Sequence, residues 1–379
     1  MSRARLHMVG TRIPYLALKL IPCPKLGLGS IGTLLSHHIR LSRPSLDMTL
    51  LVREPSRWAN LCVSRDGIAA TSESFDYEST SAPRRDAISS LVITLKTCQT
   101  SDAVAPLVSR LSRGSVISLF QNGMGVYDEL CSRFWPDEGS RPHFVLGTTT
   151  HGASPHGSSK GEVLHHTPLG AGDIKWGVVP NQRYEGTPWD MSQGDSQSLH
   201  QRSICPSEPA FKNLEDTLQA LLSVSDLNPS LLPYRSLHQS LLLKLAVNCA
   251  VNPLSAIVGR GSLTNSALMS IKPHGPKLLE MVNRETSRVL EALKELRGHT
   301  EETLHLFSYQ NIREIVEGVI RATEGNTCSM AEDVRAKRPT EIDYINGYLA
   351  KLGDELGIDT PANDMLVDMV KMVEMSYTE

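Results

Sequence analysis

Lys244, Asn248 and Asn252 stand at i, i+4 and i+8 in one run of the chain. On a helix that spacing puts one ammonium and two amides on a single stripe. Around them Leu241, Leu242, Leu243, Leu245, Ala246, Val247, Ala250 and Val251 are apolar, so the helix is expected to be largely buried. Polar groups on a buried helix need partners. A bound small molecule with a carbonyl and hydroxyls would serve, as would water or a neighbouring helix.

A second chemical signal lies near the start. Gly27-Leu28-Gly29-Ser30-Ile31-Gly32 reads as a G-x-G-x-x-G turn opening a helix. Gly27 would make the tight turn, Gly29 would let a pyrophosphate approach the backbone, and Gly32 would let helix pack closely on strand. The motif needs a strand before it and a ribose-reading residue after the next strand. Asp47–Val52 is that next strand, and Arg53 comes directly after it. An acidic residue there would bind a ribose 2′-hydroxyl, whereas an arginine suits a 2′-phosphate, so the cofactor reads as NADPH (NADP+). Arg57 is a nearby alternative.

The preceding strand is less direct. Pro22 and Pro24 interrupt the residues that lead into the turn, and a central strand tolerates proline poorly. Arg5–Gly10 looks like a proper first strand, so residues 10–26 read as an inserted, atypical segment. Two further strands end in informative residues. Ser90–Leu95 is followed by Lys96-Thr-Cys-Gln99, and Ser115–Phe120 by Gln121-Asn122-Gly123-Met-Gly125. In open α/β sheets ligands lie beyond the carboxyl ends of the strands, where Lys96, Gln99 and Asn122 fall. A surface lysine and a plain Asn-Gly turn are the bland alternatives.

Residues 144–178 carry short β-like runs expected to extend the sheet. His165 and His166 tempt a metal reading, but neighbours on a strand face opposite sides and cannot chelate together; no metal site is expected. Residues 180–209 are polar and read as a surface loop. From Leu241 the pattern is mostly helical. Later, Ser329-Met-Ala-Glu-Asp-Val-Arg precedes Thr340-Glu341-Ile-Asp343. Thr340 or the residues before it would cap a helix with Glu341 and Asp343 in its first turn; alternatively Glu341 binds a ribose or substrate hydroxyl. The fold class is α/β, with an N-terminal Rossmann-like dinucleotide-binding domain over 1–234 and an all-helical substrate-binding domain over 235–379.

Composition allows this. The chain has 379 residues, enough for two domains, with 40% hydrophobic and 21% charged residues. Its net charge of -3, without a long basic run, suggests no nucleic-acid partner. Seven cysteines without a CxxC spacing read as reduced thiols. No uninterrupted apolar run is long enough to suggest a membrane span. The expected location is cytoplasmic. An acid-poor, arginine-containing start up to Asp47 keeps a mitochondrial alternative.

Taken together, Gly-Leu-Gly-Ser-Ile-Gly, Thr-Leu-Lys-Thr-Cys-Gln-Thr, Gln-Asn-Gly-Met-Gly, Lys-Leu-Ala-Val-Asn-Cys-Ala-Val-Asn-Pro-Leu, and Ser-Met-Ala-Glu-Asp-Val-Arg with Thr-Glu-Ile-Asp-Tyr-Ile-Asn-Gly resemble the ketopantoate reductase (2-dehydropantoate 2-reductase) family, from about Leu26 to Val373. The resemblance implies NADPH-dependent reduction of 2-dehydropantoate to (R)-pantoate, toward pantothenate and coenzyme A. It matches Lys244 to the catalytic lysine and Glu341 to a cleft glutamate serving catalysis and cofactor. Gly27, Leu28, Gly29, Ser30, Ile31, Gly32, Arg53, Lys96 and Asn122 fall on the cofactor side, and Asn248, Asn252 and Ser329 on the substrate side. Cys328 departs from the small hydroxyl residue expected there. The implied partners are a 2-keto acid and a second copy in a homodimer. The competing readings are a reductase of another branched 2-keto acid and a non-catalytic dinucleotide-binding regulatory protein.

Overall fold

A computed structural model describes residues 5–10, 28–82, 84–157, 159–185, 211–258, 262–293 and 305–378. Gly27, nearly all of the atypical 10–26 segment and the polar loop from 186 lie outside the described residues.

Twelve strands occur among the described residues: β1 (Arg5–Gly10), β2 (Asp47–Val52), β3 (Leu61–Arg65), β4 (Ile68–Ser72), β5 (Asp76–Ser79), β6 (Ser90–Thr94), β7 (Val116–Phe120), β8 (His143–Thr149), β9 (Ala153–Pro155), β10 (Glu162–His165), β11 (Ile174–Val178) and β12 (Pro229–Leu231). The helices are α1 (Ser30–Ser42), α2 (Thr100–Val104), α3 (Val126–Phe134), α4 (Lys212–Leu222), α5 (Tyr234–Ile257), α6 (Ala267–Ser270), α7 (His274–Ala292), α8 (Tyr309–Ala322), α9 (Ser329–Arg335), α10 (Asn346–Leu356) and α11 (Pro361–Met375).

Eight strands form one sheet in the order β12-β11-β8-β7-β6-β1-β2-β5. From β5 to β8 all pairs are parallel, and β11 runs antiparallel to β8. This is the doubly wound order, whose direction of winding reverses between β1 and β6. Arg5–Gly10, read as the first strand, occupies that central position, with Leu6 opposite Met48 on one side and Ser90 on the other. The near-continuous apolar runs of β2, β6 and β7 suit a parallel sheet covered on both faces.

The run Gly161–His166, expected to extend this sheet, does not join it. Instead β10 pairs with β3 and β9 in a separate four-stranded sheet of order β4-β3-β10-β9. Strand pairing is non-local, and a short run carries no label for its partner. The small sheet contacts α1 on the side away from the main sheet, so Gly32 through Arg40 are all buried. His37 and His38 are thereby buried, although a helix covered on one face would have left part of this run in water. A buried ion pair, Arg110–Glu78 at 2.5 Å, ties β5 to the loop before β7.

The described residues fall into two compact units. One takes the chain up to Gln121 and Val126–His238; the other takes Asn122–Gly125 and Gln239–Glu379, so the division falls inside α5. The core of the second unit is built around α5, with Leu242, Leu245, Ala246, Cys249 and Ala250 packed among Val289, Val316, Met330, Leu349 and Val370. α5 is long and apolar enough to cross a membrane by length and composition, but 61% of its most apolar window is buried inside the protein.

The histidines around α1 form a cluster. His37 Nδ1 meets Ser72 Oγ at 2.9 Å, His165 Nε2 meets His151 Nδ1 at 3.1 Å, and His38 Nδ1 lies 3.9 Å from Asp226. Burial pushes His37 and His38 down to about 4, each also lowered by neighbouring positive groups; Asp226 partly opposes the shift at His38. Burial, with Arg65 next, pushes His165 down to about 3. Their folded pKa values lie below the unfolded value of about 6.5. Their neutral forms thus contribute stability that is complete above pH ~6.5 and is lost as pH falls toward ~4. Urea unfolding should show a drop in stability between pH ~6.5 and ~4.5 to which His38 contributes about 2 kcal/mol, a share lost in His38→Gln. An equal drop in that variant would remove His38 as one of its sources.

Candidate active site

In the sheet unit the described part of the glycine turn, from Leu28, leads into α1, whose Gly32 lies against Thr94 of β6. Gly29 is the N-cap of α1 in extended backbone, with no side-chain cap and no acidic residue in the first turn. Its N-cap, Gly29, has no side chain to claim the first-turn N–H groups, and these with the dipole of a 13-residue helix favour an anion there. Leu28 is buried, and Ser30 and Ile31 begin the helix. A Cβ on Gly32 would lie 2.4 Å from Thr94 Oγ1 at the end of β6, so no other residue fits without a shift.

Arg53 directly follows β2, and its carbonyl accepts from Ser79 Oγ at 3.3 Å. The alternative, Arg57, is paired with Glu54 at 2.5 Å. Lys96 caps a 3-10 turn over Thr97–Gln99 beyond β6, its carbonyl accepting from Gln99 N at 2.9 Å. Gln121, which the sequence did not single out, donates to Leu95 O at 2.7 Å and Thr100 Oγ1 at 2.6 Å. It thereby fastens the end of β7 to the end of β6.

The helical unit holds the other candidates. Lys244, Asn248 and Asn252 lie along one stripe of α5, the first two half-buried and Asn252 buried. Glu341 is only 5% exposed. It accepts a long hydrogen bond from Asn122 Nδ2 at 3.4 Å, bringing together residues 219 positions apart. The turn carrying Asn122 is clamped there: Met124 N donates to Tyr344 O at 2.9 Å. Gly123 has φ of 78° and no room for a side chain against Tyr344.

The helix expected to start at Thr340 does not. Thr340 Oγ1 accepts from Ile342 N at 3.3 Å, but the next element is a 3-10 turn, Ile342–Tyr344, and α10 begins at Asn346. The first-turn dipole role expected of Glu341 and Asp343 is therefore replaced by a short turn that leaves Glu341 beside Asn122. Ser329 opens α9, and Cys328 caps it by accepting from Ala331 N at 3.4 Å. Burial pushes the Cys328 thiol up, so it stays protonated and donates to Asn252 O at 3.5 Å. A cysteine thus performs the capping expected of a hydroxyl and sets the start of α9 beside the α5 stripe. Asp333, buried in α9, pairs with Arg338 at 3.0 Å. His165 and His166 face different partners, His151 and Ser154.

A doubly wound sheet with a glycine turn leading into its first helix, followed by a helical unit with a lysine–asparagine stripe, defines a Rossmann-like protein with an all-helical C-terminal domain. The comparisons place it more closely. The profile for "Ketopantoate reductase PanE/ApbA" matches residues 26–181, and that for "Ketopantoate reductase PanE/ApbA C terminal" matches 236–374. The chain is 33% identical over 287 residues to the 2-dehydropantoate 2-reductase of Shigella flexneri, covering 76% of this chain and 75% of that one. It is 31% identical to that of Salmonella typhimurium, covering 93% and 95%. A solved D-mandelate dehydrogenase with NADH and anilino(oxo)acetate shares the fold, with a TM-score of 0.69 over 98% of both chains at 19% identity. The chain belongs to the ketopantoate reductase family.

The close approach at Gly32 is directly testable. Gly32→Ala should destabilise the protein by about 1–3 kcal/mol through overpacking, read by urea unfolding. Thr94→Ala, which removes the opposing oxygen, should recover most of that loss in the double variant. Full stability in Gly32→Ala alone would show that the contact is not required.

Proposed function

We propose that this protein reduces 2-dehydropantoate to (R)-pantoate with NADPH, with residues 1–234 serving the cofactor and 235–379 the keto acid. The observation that carries the reading is the Lys244–Asn248–Asn252 stripe on a buried helix in a chain of this family. The glycine-capped N-terminus of α1 fits a pyrophosphate, Gly27 and Gly29 belong to the sequence motif for such a turn, and Arg53 beyond β2 fits a 2′-phosphate.

When bound, the nicotinamide supplies the hydride that the C2 carbonyl carbon of the keto acid accepts. The carbonyl π electrons move to oxygen, and an ammonium at Lys244 stabilises that charge and transfers a proton to it. Asn248 and Asn252 hold the substrate's polar groups and Lys244. Ser329 and Asn122 supply further donors, and Glu341 accepts from a hydroxyl. Lys96 supplies positive charge on the cofactor side. The same reading takes the protein to act as a cytoplasmic homodimer.

D-mandelate dehydrogenase uses the same fold, so a reductase of another 2-keto acid is the competing case. The deciding assay follows loss of nicotinamide absorbance with 2-dehydropantoate beside a panel of 2-keto acids, using NADPH and NADH. Turnover is expected on 2-dehydropantoate with NADPH, and faster turnover on another acid would replace the substrate. Lys244→Ala should lower kcat by roughly 100- to 10,000-fold; near-normal kcat would end its role as general acid. Arg53→Asp should raise KM for NADPH by roughly tenfold or more while sparing NADH. Equal effects on both cofactors would remove Arg53 as the 2′-phosphate reader.

A further inference from the structure

α5 continues through Pro253. Proline has no N–H, so the carbonyl four residues earlier, that of Cys249, has no donor within the helix. Cys249 is fully buried, and an unpaired buried carbonyl costs about as much as a lost hydrogen bond. Asn346 Nδ2, at the start of α10, donates to that carbonyl at 3.0 Å.

The same amide donates its other hydrogen to Asn363 Oδ1 at 2.9 Å. Asn363 Nδ2 in turn donates to Glu285 Oε2 at 2.8 Å. Glu285 also accepts from Asn363 N at 3.0 Å and Ala362 N at 2.9 Å, the free first-turn donors of α11. All three side chains are buried, Asn346 and Asn363 at 0% exposure. The chain of hydrogen bonds has one polarity. A carboxylate only accepts, so the NH2 of Asn363 faces Glu285 and its oxygen faces Asn346. The NH2 of Asn346 then has to point at the Cys249 carbonyl.

That carbonyl belongs to the turn flanked by Asn248 and Asn252. With an ordinary residue at 253 the helix would satisfy it internally. With proline, the setting of that turn depends on a donor from another element. We propose that Asn346 is a positioning residue: it replaces the N–H that Pro253 lacks and thereby fixes the turn of α5 that carries Asn248 and Asn252. For its effect on catalysis the proposal rests on the reductase reading above.

A double-variant cycle of Asn346→Leu and Pro253→Ala tests it, because an alanine at 253 returns an N–H that can reach Cys249 O. In the parent chain Asn346→Leu should lower kcat/KM for the keto acid by roughly 10- to 100-fold, with NADPH affinity within twofold of the parent. Amide hydrogen exchange over 249–257 should speed up. In the Pro253→Ala background both effects of Asn346→Leu should shrink to a few-fold. Equal losses in the two backgrounds would overturn the proposal, assigning Asn346 only to the network with Asn363 and Glu285. Folding of Asn346→Leu only when Pro253→Ala is present would support it; failure to fold in both backgrounds would count against it. If the parent chain reduces no 2-keto acid, the reductase reading fails, and the exchange cycle still decides whether Asn346 replaces the missing donor.

Discussion

A buried helix with one carbonyl that its own backbone cannot satisfy is the constraint on which the helical unit depends. α5 is packed on most of its surface, so water is not available to the carbonyl that Pro253 leaves open. The donor comes from Asn346, and the polarity of its hydrogen bonds runs through Asn363 to Glu285. Three further helices, α7, α10 and α11, are thereby connected to the same turn of α5. Nearby, Cys328 connects α9 to Asn252 by a thiol donor. The polar stripe lies on a segment whose backbone is held from several sides, which suits a site that has to fix the geometry of a small molecule.

The sheet unit answers a different constraint. α1 has a sheet on each side, so its one charged side chain, Arg40, is buried with its guanidinium bonded to the carbonyls of Pro44, Leu46 and Ser74. Small and neutral groups fill the contact: Gly32 against Thr94, Ser36 with its hydroxyl bonded to Gly32 O, and histidines kept neutral by burial. The N-terminus of the same helix carries no side-chain cap. A helix so fully held has the rigidity to present its first-turn N–H groups, and their dipoles suit an anion.

The reductase reading gains physical sense from this arrangement. On that reading the half-buried ammonium of Lys244, on a mostly apolar helix, would stabilise charge developing on a carbonyl oxygen more strongly than bulk water does. Glu341, buried and beside Asn122, adds an acceptor in the same unit without belonging to a regular helix.

Much of this was legible along the chain. The parallel strands announce themselves as short apolar runs, the glycine turn by its spacing, and the helical second half by its 3.6-residue period. The Lys244–Asn248–Asn252 stripe comes from the same period. These are local properties, set by backbone geometry and side-chain alternation. Pro253 was itself a signal, since a proline inside a helical pattern implies an open carbonyl at Cys249. Its partner, 97 residues away, was not implied. Nor was the departure of β10 into a second sheet, the burial of His37 and His38 beneath it, or the meeting of Asn122 with Glu341. Those depend on which surfaces come together after the local elements exist. The residues alone determined the elements and the chemistry they carry. Only tertiary packing decided which buried polar group satisfies which, because a hydrogen-bond partner is chosen by proximity in space and a sequence records order alone.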